Sequence, residues 1–170
     1  ICSSLRGATD VNSRMCALKL LRHVKRFATD QTILQVILPY CVTALQDPVA
    51  FVRAEALRAI ADILTAVQEI PQSDFGLFPE YIWPAVSNAA TDSERLVRVA
   101  VASVIAQLAR SSVEFLQYAV AMEANGGDPV SFDSEIALIR NTVQSVMFAL
   151  LGSKSSEDDE AVWIALLISS

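Results

Sequence analysis

The chain is poor in the residues that interrupt regular structure, with five glycines and six prolines in 170 positions. That scarcity argues against a fold assembled from many tight turns and favours long elements. Aromatic residues make up only 7% while alanine, leucine, valine and isoleucine dominate, a balance that suits closely packed helices better than a β-sandwich. Cysteine is scarce and odd in number. Cys2, Cys16 and Cys41 lie far apart, no Cys-x-x-Cys spacing occurs and His23 is the one histidine, so no structural zinc site is expected and a reduced, cytosolic setting fits best. Positive charge is also in deficit: 13 lysines and arginines stand against 19 acidic residues, giving a net charge of -6 and an isoelectric point near 4.7. Such a chain has no general electrostatic reason to bind nucleic acid.

Long uninterrupted apolar runs are missing as well, although 53% of residues are apolar and the mean hydropathy is +0.41. Arg98, Gln107 or Arg140 breaks each run before it reaches the roughly 20 residues that span a bilayer, so the apolar excess is assigned to a core. There is no initiator methionine and no signal peptide, and Ser170 ends the chain within an apolar run; a segment of a longer protein is expected. The search for catalytic motifs is empty. No Gly-x-Ser-x-Gly, phosphate-binding glycine loop, Cys-His pair or kinase-type motif occurs, and no cofactor is expected.

What is present is a repeat. Asp47-Pro-Val-Ala-Phe-Val-Arg53 returns as Asp92 followed by Val97-Arg98, and Pro39 returns as Pro84, all displaced by 45 residues. A third copy aligns on Arg14. Seven residues past each arginine stand Leu21, Ile60 and Ile105, and ten past it Val24, Ile63 and Leu108, so these positions are always apolar. Lys19, His23 and Arg26, then Arg58, Asp62 and Thr65, then Ser103, Gln107 and Arg110 form the corresponding polar stripe. A period of about 40 to 47 residues made of two helices is the signature of HEAT or armadillo arrays.

The expected fold class is therefore all-α, an α-solenoid of HEAT/armadillo-like helical hairpins. Helices are predicted over about Asn12–Phe27, Gln31–Gln46, Val49–Glu69, Phe78–Ala90, Glu94–Ser111 and Asp133–Leu151, with Val113–Glu123 either a new element or an extension. A last helix is expected from near Glu160. Ile70-Pro71-Gln72-Ser73-Asp74 and Asn125-Gly126-Gly127-Asp128-Pro129 break the pattern, the second read as an insertion loop. Approximate repeats follow: a partial one at 1–29, then 30–73, 74–112 and an irregular 113–170 containing the loop 125–132. Pro39 and Pro84 are each expected to kink their helix by removing a backbone hydrogen bond.

Four charges carry the structural argument. Arg53 shares a helix face with Leu57, Ile60 and Leu64, and a guanidinium on a packing face must be paired. Asp47 and Asp92 at the inter-helix turns are the expected partners of Arg53 and Arg98, forming a ladder between neighbouring repeats. The competing reading makes these arginines ligand-binding groups. Glu55, Arg58, Asp62 and Glu69 are assigned to the solvent stripe. Lys19, Arg22, Lys25 and Arg26 make the first helix basic, either a solvated face or a surface for an acidic partner or anionic membrane. Trp83, Trp163, Phe75, Phe78 and Tyr81 are read mainly as packing residues. The run Glu157-Asp158-Asp159-Glu160 is read as the acidic start of the last helix.

From Asp47 to about Gln117 the sequence is more specific than a general HEAT pattern. Arg53-Ala-Glu-Ala-Leu57, Ile70-Pro71, Phe78-Pro-Glu-Tyr-Ile-Trp-Pro84, Val97-Arg98, Ile105-Ala-Gln-Leu-Ala109 and Phe115-Leu116 together resemble one family. It is the HEAT-repeat region of the regulatory subunit of the class III phosphatidylinositol 3-kinase complex, a vacuolar protein sorting family with kinase-like, HEAT and WD40 domains. The resemblance implies a solenoid linking the kinase-like domain to the propeller, without the family's ATP-binding, catalytic or lipidation residues. It implies as partners the lipid kinase catalytic subunit and coiled-coil subunits acting in autophagy and endosomal sorting. The expected location is cytoplasmic, peripheral on endosomal and autophagic membranes through the complex. The alternative is a HEAT adaptor of another assembly, such as a phosphatase scaffold or a nuclear transport receptor.

Overall fold

A computed structural model describes residues 10–71, 74–123 and 132–152, with the backbone alone described at 122 and 123. The predicted loop at Asn125 to Pro129, the acidic run and the last helix lie outside the described residues. Within them every regular element is helical, and no strand occurs.

Helix α1, Val11–Val24, starts where the Asp10 carboxylate accepts the Ser13 N–H at 2.9 Å, and it tightens into a 3₁₀ turn at Lys25–Phe27. Thr29 then caps α2, which spans 30–44 in three joined pieces, Asp30–Thr32, Ile33–Ile37 and Leu38–Ala44. Helix α3 is Ala50–Leu64; α4 spans 78–90 as Phe78–Ile82 and Trp83–Ala90; α5 is Arg95–Glu123; α6 is Phe132–Leu151. The sequence pattern carries the second B helix to Glu69, but α3 stops at Leu64. Thr65 turns its hydroxyl back onto the Asp62 carbonyl at 2.8 Å, and the Asp30 carboxylate takes the N–H groups of Gln68 and Glu69 at 3.1 and 2.8 Å. Those two donors are satisfied from α2 instead of by a further helical turn.

The prolines act through a wider turn. Residues Ile33–Ile37 and Phe78–Ile82 are π-helical, and in each copy the residue before proline donates five residues back, Leu38 to Ile33 and Trp83 to Phe78. A proline in an ordinary helix meets the carbonyl four residues earlier; widening the ring to the fifth residue relieves that clash. Both π turns fall at one register, 45 residues apart, like the prolines that follow them.

Helices α1, α3 and α5 pack side by side, while α2 packs on α3, α4 on α5, and α6 on both α4 and α5. Helix α3 is the centre of this two-layer arrangement. Val52, Leu57, Ile60, Ile63 and Leu64 are buried, and Ala54, Ala56, Ala59 and Ala61 are buried too, their small side chains letting neighbours approach on several sides. One continuous apolar core runs from Leu18 to Leu150. Helix α5 passes unbroken through 112–113, so Val113–Glu123 is an extension of the preceding helix. By length and composition Arg95–Ala121 is long and apolar enough to cross a membrane; 56% of its most apolar window is buried by the surrounding helices.

Candidate functional site

The most organised polar structure is a line of arginine–aspartate contacts across the turns that lead into α3 and α5. In each turn the aspartate first serves its own chain: Asp47 Oδ1 accepts the Val49 N–H and Asp92 Oδ1 the Glu94 N–H, both at 2.9 Å. That leaves carboxylate oxygens facing the preceding repeat. Arg14 of α1 reaches Asp47, with Nε 2.7 Å from Oδ2, and Arg53 of α3 reaches Asp92. The Arg53 pair is bidentate, Nε to Oδ2 and Nη2 to Oδ1, each at 2.8 Å. Arg53 Nη1 also donates to the carbonyls of Asp47 and Pro48 at 2.8 and 3.2 Å. Arg53 thus ties its own turn by the carbonyls and the next turn by the carboxylate. Asp47 does serve Arg53, but through its backbone, while its carboxylate belongs to Arg14.

The charge states follow from this geometry. For Arg53 the hydrogen bonds it donates to Asp92 outweigh desolvation and raise the guanidinium pKa. For Asp92, burial opposes ionisation, yet the hydrogen bonds from Arg53 and the Glu94 N–H and the fields of Arg53 and Arg98 hold it below the ordinary aspartate value. A guanidinium occupied on both edges has little left to offer a ligand. The ligand-binding reading of Arg53 therefore has no geometric support here.

Arg98 repeats half of this pattern. Its Nη1 donates to the carbonyls of Asp92 and Ser93 at 2.9 and 3.0 Å, as Arg53 does one repeat earlier. No carboxylate is paired with it among the described residues.

The basic first helix is divided by the structure. Arg22 lies against α3, with Nη1 3.0 Å from Glu55 Oε1 and Nε 3.2 Å from Asp62 Oδ2, and Lys25 Nζ lies 2.7 Å from Asp62 Oδ1. Glu55 is 5% exposed, so its assignment to the solvent stripe is corrected: α1 covers that side of α3, and charge is buried there because it is paired. Burial penalises both Asp62 and Arg22, but their mutual contacts, with Lys25 and Glu55, lower the Asp62 pKa and raise that of Arg22. Lys19 and Arg26 remain exposed, as does His23, whose Nδ1 sits 3.0 Å from the Lys19 carbonyl. Of Lys19, Arg22 and Arg26, the first and last are left on an open surface. A signal for the network lay in the sequence: Arg22 precedes Glu55 by 33 residues, as Arg14 precedes Asp47. Equal offsets along two helices are what parallel neighbours produce. Gln107 likewise leaves the expected wet stripe and donates to the Ala61 carbonyl of α3 at 3.0 Å.

The aromatic residues divide as well. Phe78 meets Phe115 edge to face at 5.1 Å between ring centres and lies 5.8 Å from Trp83, whose indole N–H donates to the buried Ser112 hydroxyl at 3.3 Å. They join α4 to α5. Tyr81 is 59% exposed and takes no part in this cluster.

Helical hairpins joined through arginine–aspartate contacts at corresponding turns define an all-α helical-repeat protein. The chain belongs to the PIK3R4-like family: a model of the PIK3R4-like middle domain matches residues 1–170. This is the regulatory-subunit family of the class III phosphatidylinositol 3-kinase complex. Among relatives, serine/threonine-protein kinase VPS15 of Arabidopsis thaliana is 41% identical over 116 residues, covering 68% of this chain and 8% of the relative. A probable serine/threonine-protein kinase vps15 of Dictyostelium discoideum is 34% identical over 106 residues, 61% of this chain and 5% of the relative. A non-specific serine/threonine protein kinase of Candida glabrata is 28% identical over 173 residues, 98% of this chain and 12% of the relative. The chain thus spans between 5% and 12% of the length of these relatives.

Proposed function

We propose that this chain is a non-catalytic helical-repeat scaffold within the regulatory subunit of a class III phosphatidylinositol 3-kinase complex, supporting assembly of that complex in autophagy and in endosomal and vacuolar protein sorting. The observation that carries the reading is the use made of the conspicuous charges: Arg14, Arg22, Lys25 and Arg53 hold one helix or turn against another. Such side chains fix the spacing of repeats, which is what a scaffold requires of them. The kinase names of the relatives belong to chains of which this segment matches a small part, and the matching family model is that of a middle domain. The proposed partners are the lipid kinase catalytic subunit and the coiled-coil autophagy and endosomal subunits. The proposed location is cytoplasmic, on endosomal and autophagic membranes through the complex.

Copurification tests this. Tagged full-length parent protein is expected to bring down a phosphatidylinositol 3-kinase catalytic subunit together with a coiled-coil subunit. Recovery of neither, with a phosphatase or a transport factor in their place, would overturn the proposal.

A further inference from the structure

A groove of about 570 Å³ runs between the second half of α1, with its 3₁₀ turn, and the facing side of α3, and its charges do not balance. The α3 side offers two carboxylates, Glu55 and Asp62, and both are taken. Arg22 reaches each of them, Lys25 holds Asp62, and Arg58 approaches Glu55 at 3.7 Å. The α1 side brings four cations, Arg22 and Lys25 together with Lys19 and Arg26. Four against two leaves a surplus of two positive charges, in a chain whose net charge is -6. Lys19 and Arg26 are exposed, and neither meets a carboxylate among the described residues. They stand two helical turns apart, roughly 10 Å along the axis. Next to Arg26, the ring of Phe27 is 90% exposed.

We propose that this groove docks an acidic segment of another protein, one that presents at least two carboxylates and an apolar side chain. Carboxylates answer Lys19 and Arg26, whose charge the groove's own acids leave unmatched because Arg22, Lys25 and Arg58 occupy them. The spacing selects a chain of acids over a single anion. One phosphate cannot meet two cations roughly 10 Å apart, whereas acids three apart in an extended segment, at about 3.3 Å per residue, or seven apart on a helix match them. The apolar side chain covers Phe27, and an aromatic anchor beside charged rim contacts is a common source of binding energy. An anionic bilayer is the poorer fit, since a planar surface meets Lys19, Arg26 and Phe27 at the rim and leaves the groove behind them unfilled. Lys19 and Arg26 take no part in the joint between α1 and α3, so docking leaves that joint intact.

Fluorescence anisotropy on the full-length parent protein tests the proposal, with a labelled peptide in which pairs of glutamates alternate with leucine as the probe. Lys19→Glu combined with Arg26→Glu is expected to weaken binding roughly tenfold, the scale of two exposed pairs lost and replaced by repulsion. Should that reversal lower the unfolding temperature, Lys19→Gln combined with Arg26→Gln is expected to weaken binding about threefold without doing so. Phe27→Ala is expected to cost roughly fivefold, and only for the peptide that contains leucine. Added salt is expected to narrow the difference made by the charge reversal. Flotation with phosphatidylserine vesicles is expected to be the same for the parent protein and the reversal variant. The proposal is overturned if the reversal leaves peptide binding unchanged, or if a peptide with glutamine in place of glutamate binds equally well. It is equally overturned if the peptide does not bind and the reversal instead abolishes vesicle binding. These measurements need no other subunit, so their failure is distinct from a failure of copurification.

Discussion

At the scale of single residues, Asp92 shows how one side chain joins two repeats. One oxygen caps α5 and receives one arm of Arg53, while the other receives Arg53 Nε. The folded state holds its pKa below the ordinary aspartate value, against the opposing effect of burial. A carboxylate whose folded pKa is depressed contributes stability that is fully present above the unfolded pKa of about 4 and is lost as pH falls through the folded value. Stability is therefore expected to decline as pH drops below about 4, with Asp62 contributing in the same direction. Asp92→Asn is expected to be less stable at neutral pH and to show a shallower acid decline. Chemical denaturation at a series of pH values measures both, and parallel declines for the two proteins would exclude Asp92 as a source. Glu55 teaches the complementary lesson at this scale. Its type and periodicity place it in water, and a basic residue on the neighbouring helix moves it to the interior.

Among elements, α2 and α4 carry the clearest device. Pro39 and Pro84 are visible in the sequence, and helix interiors tolerate proline poorly, at a cost of about 3 kcal/mol or more. The π turn ahead of each proline removes the steric reason for most of that cost. Pro84→Ala is accordingly expected to change stability by less than about 1 kcal/mol, since the clash it would relieve is already avoided. A stabilisation near 3 kcal/mol on chemical denaturation would show that the proline had been strained. The kink expected from sequence names the correct residues, but the adjustment is made one turn earlier, by a change in hydrogen-bond register. Side-chain periodicity near 3.6 cannot reveal that change, because a single wide turn shifts the phase by about one residue and leaves the apolar pattern recognisable.

For the whole molecule, each arginine–aspartate contact joins one repeat to the next and touches no further repeat. Such an array behaves as a sum of repeats and nearest-neighbour joints. Arg53→Ala is expected to destabilise the array by about 2 kcal/mol, between the small value of an exposed pair and the 3–5 kcal/mol of a fully buried one. Arg14→Ala and Arg53→Ala combined are expected to depart from additivity by no more than about 1 kcal/mol, since both hold Asp47 but one takes its carboxylate and the other its backbone carbonyl. Arg53→Ala and Asp92→Ala are expected to be strongly non-additive. Double-mutant cycles on equilibrium unfolding decide the matter, and strong coupling between Arg14 and Arg53 would mean that the joints act as one unit.

The sequence by itself determined the class of elements, their order and the register of the repeat. Apolar positions seven and ten residues past Arg14, Arg53 and Arg98, and the recurring aspartate and proline, are local patterns that a single strand of text preserves. The Phe78-Pro-Glu-Tyr helix named the family for the same reason. The recurring aspartates and arginines mark the joints between repeats in the sequence, but only tertiary structure decided which carboxylate each arginine takes and that Glu55 is buried. Arg53 finds the carboxylate of Asp92 across 39 residues, and Arg22 finds Glu55 and Asp62 across 33 and 40. The physical reason is that an apolar residue is assigned to the core by its own chemistry, whereas a charged residue is buried or exposed according to whether another helix brings its partner within about 3 Å.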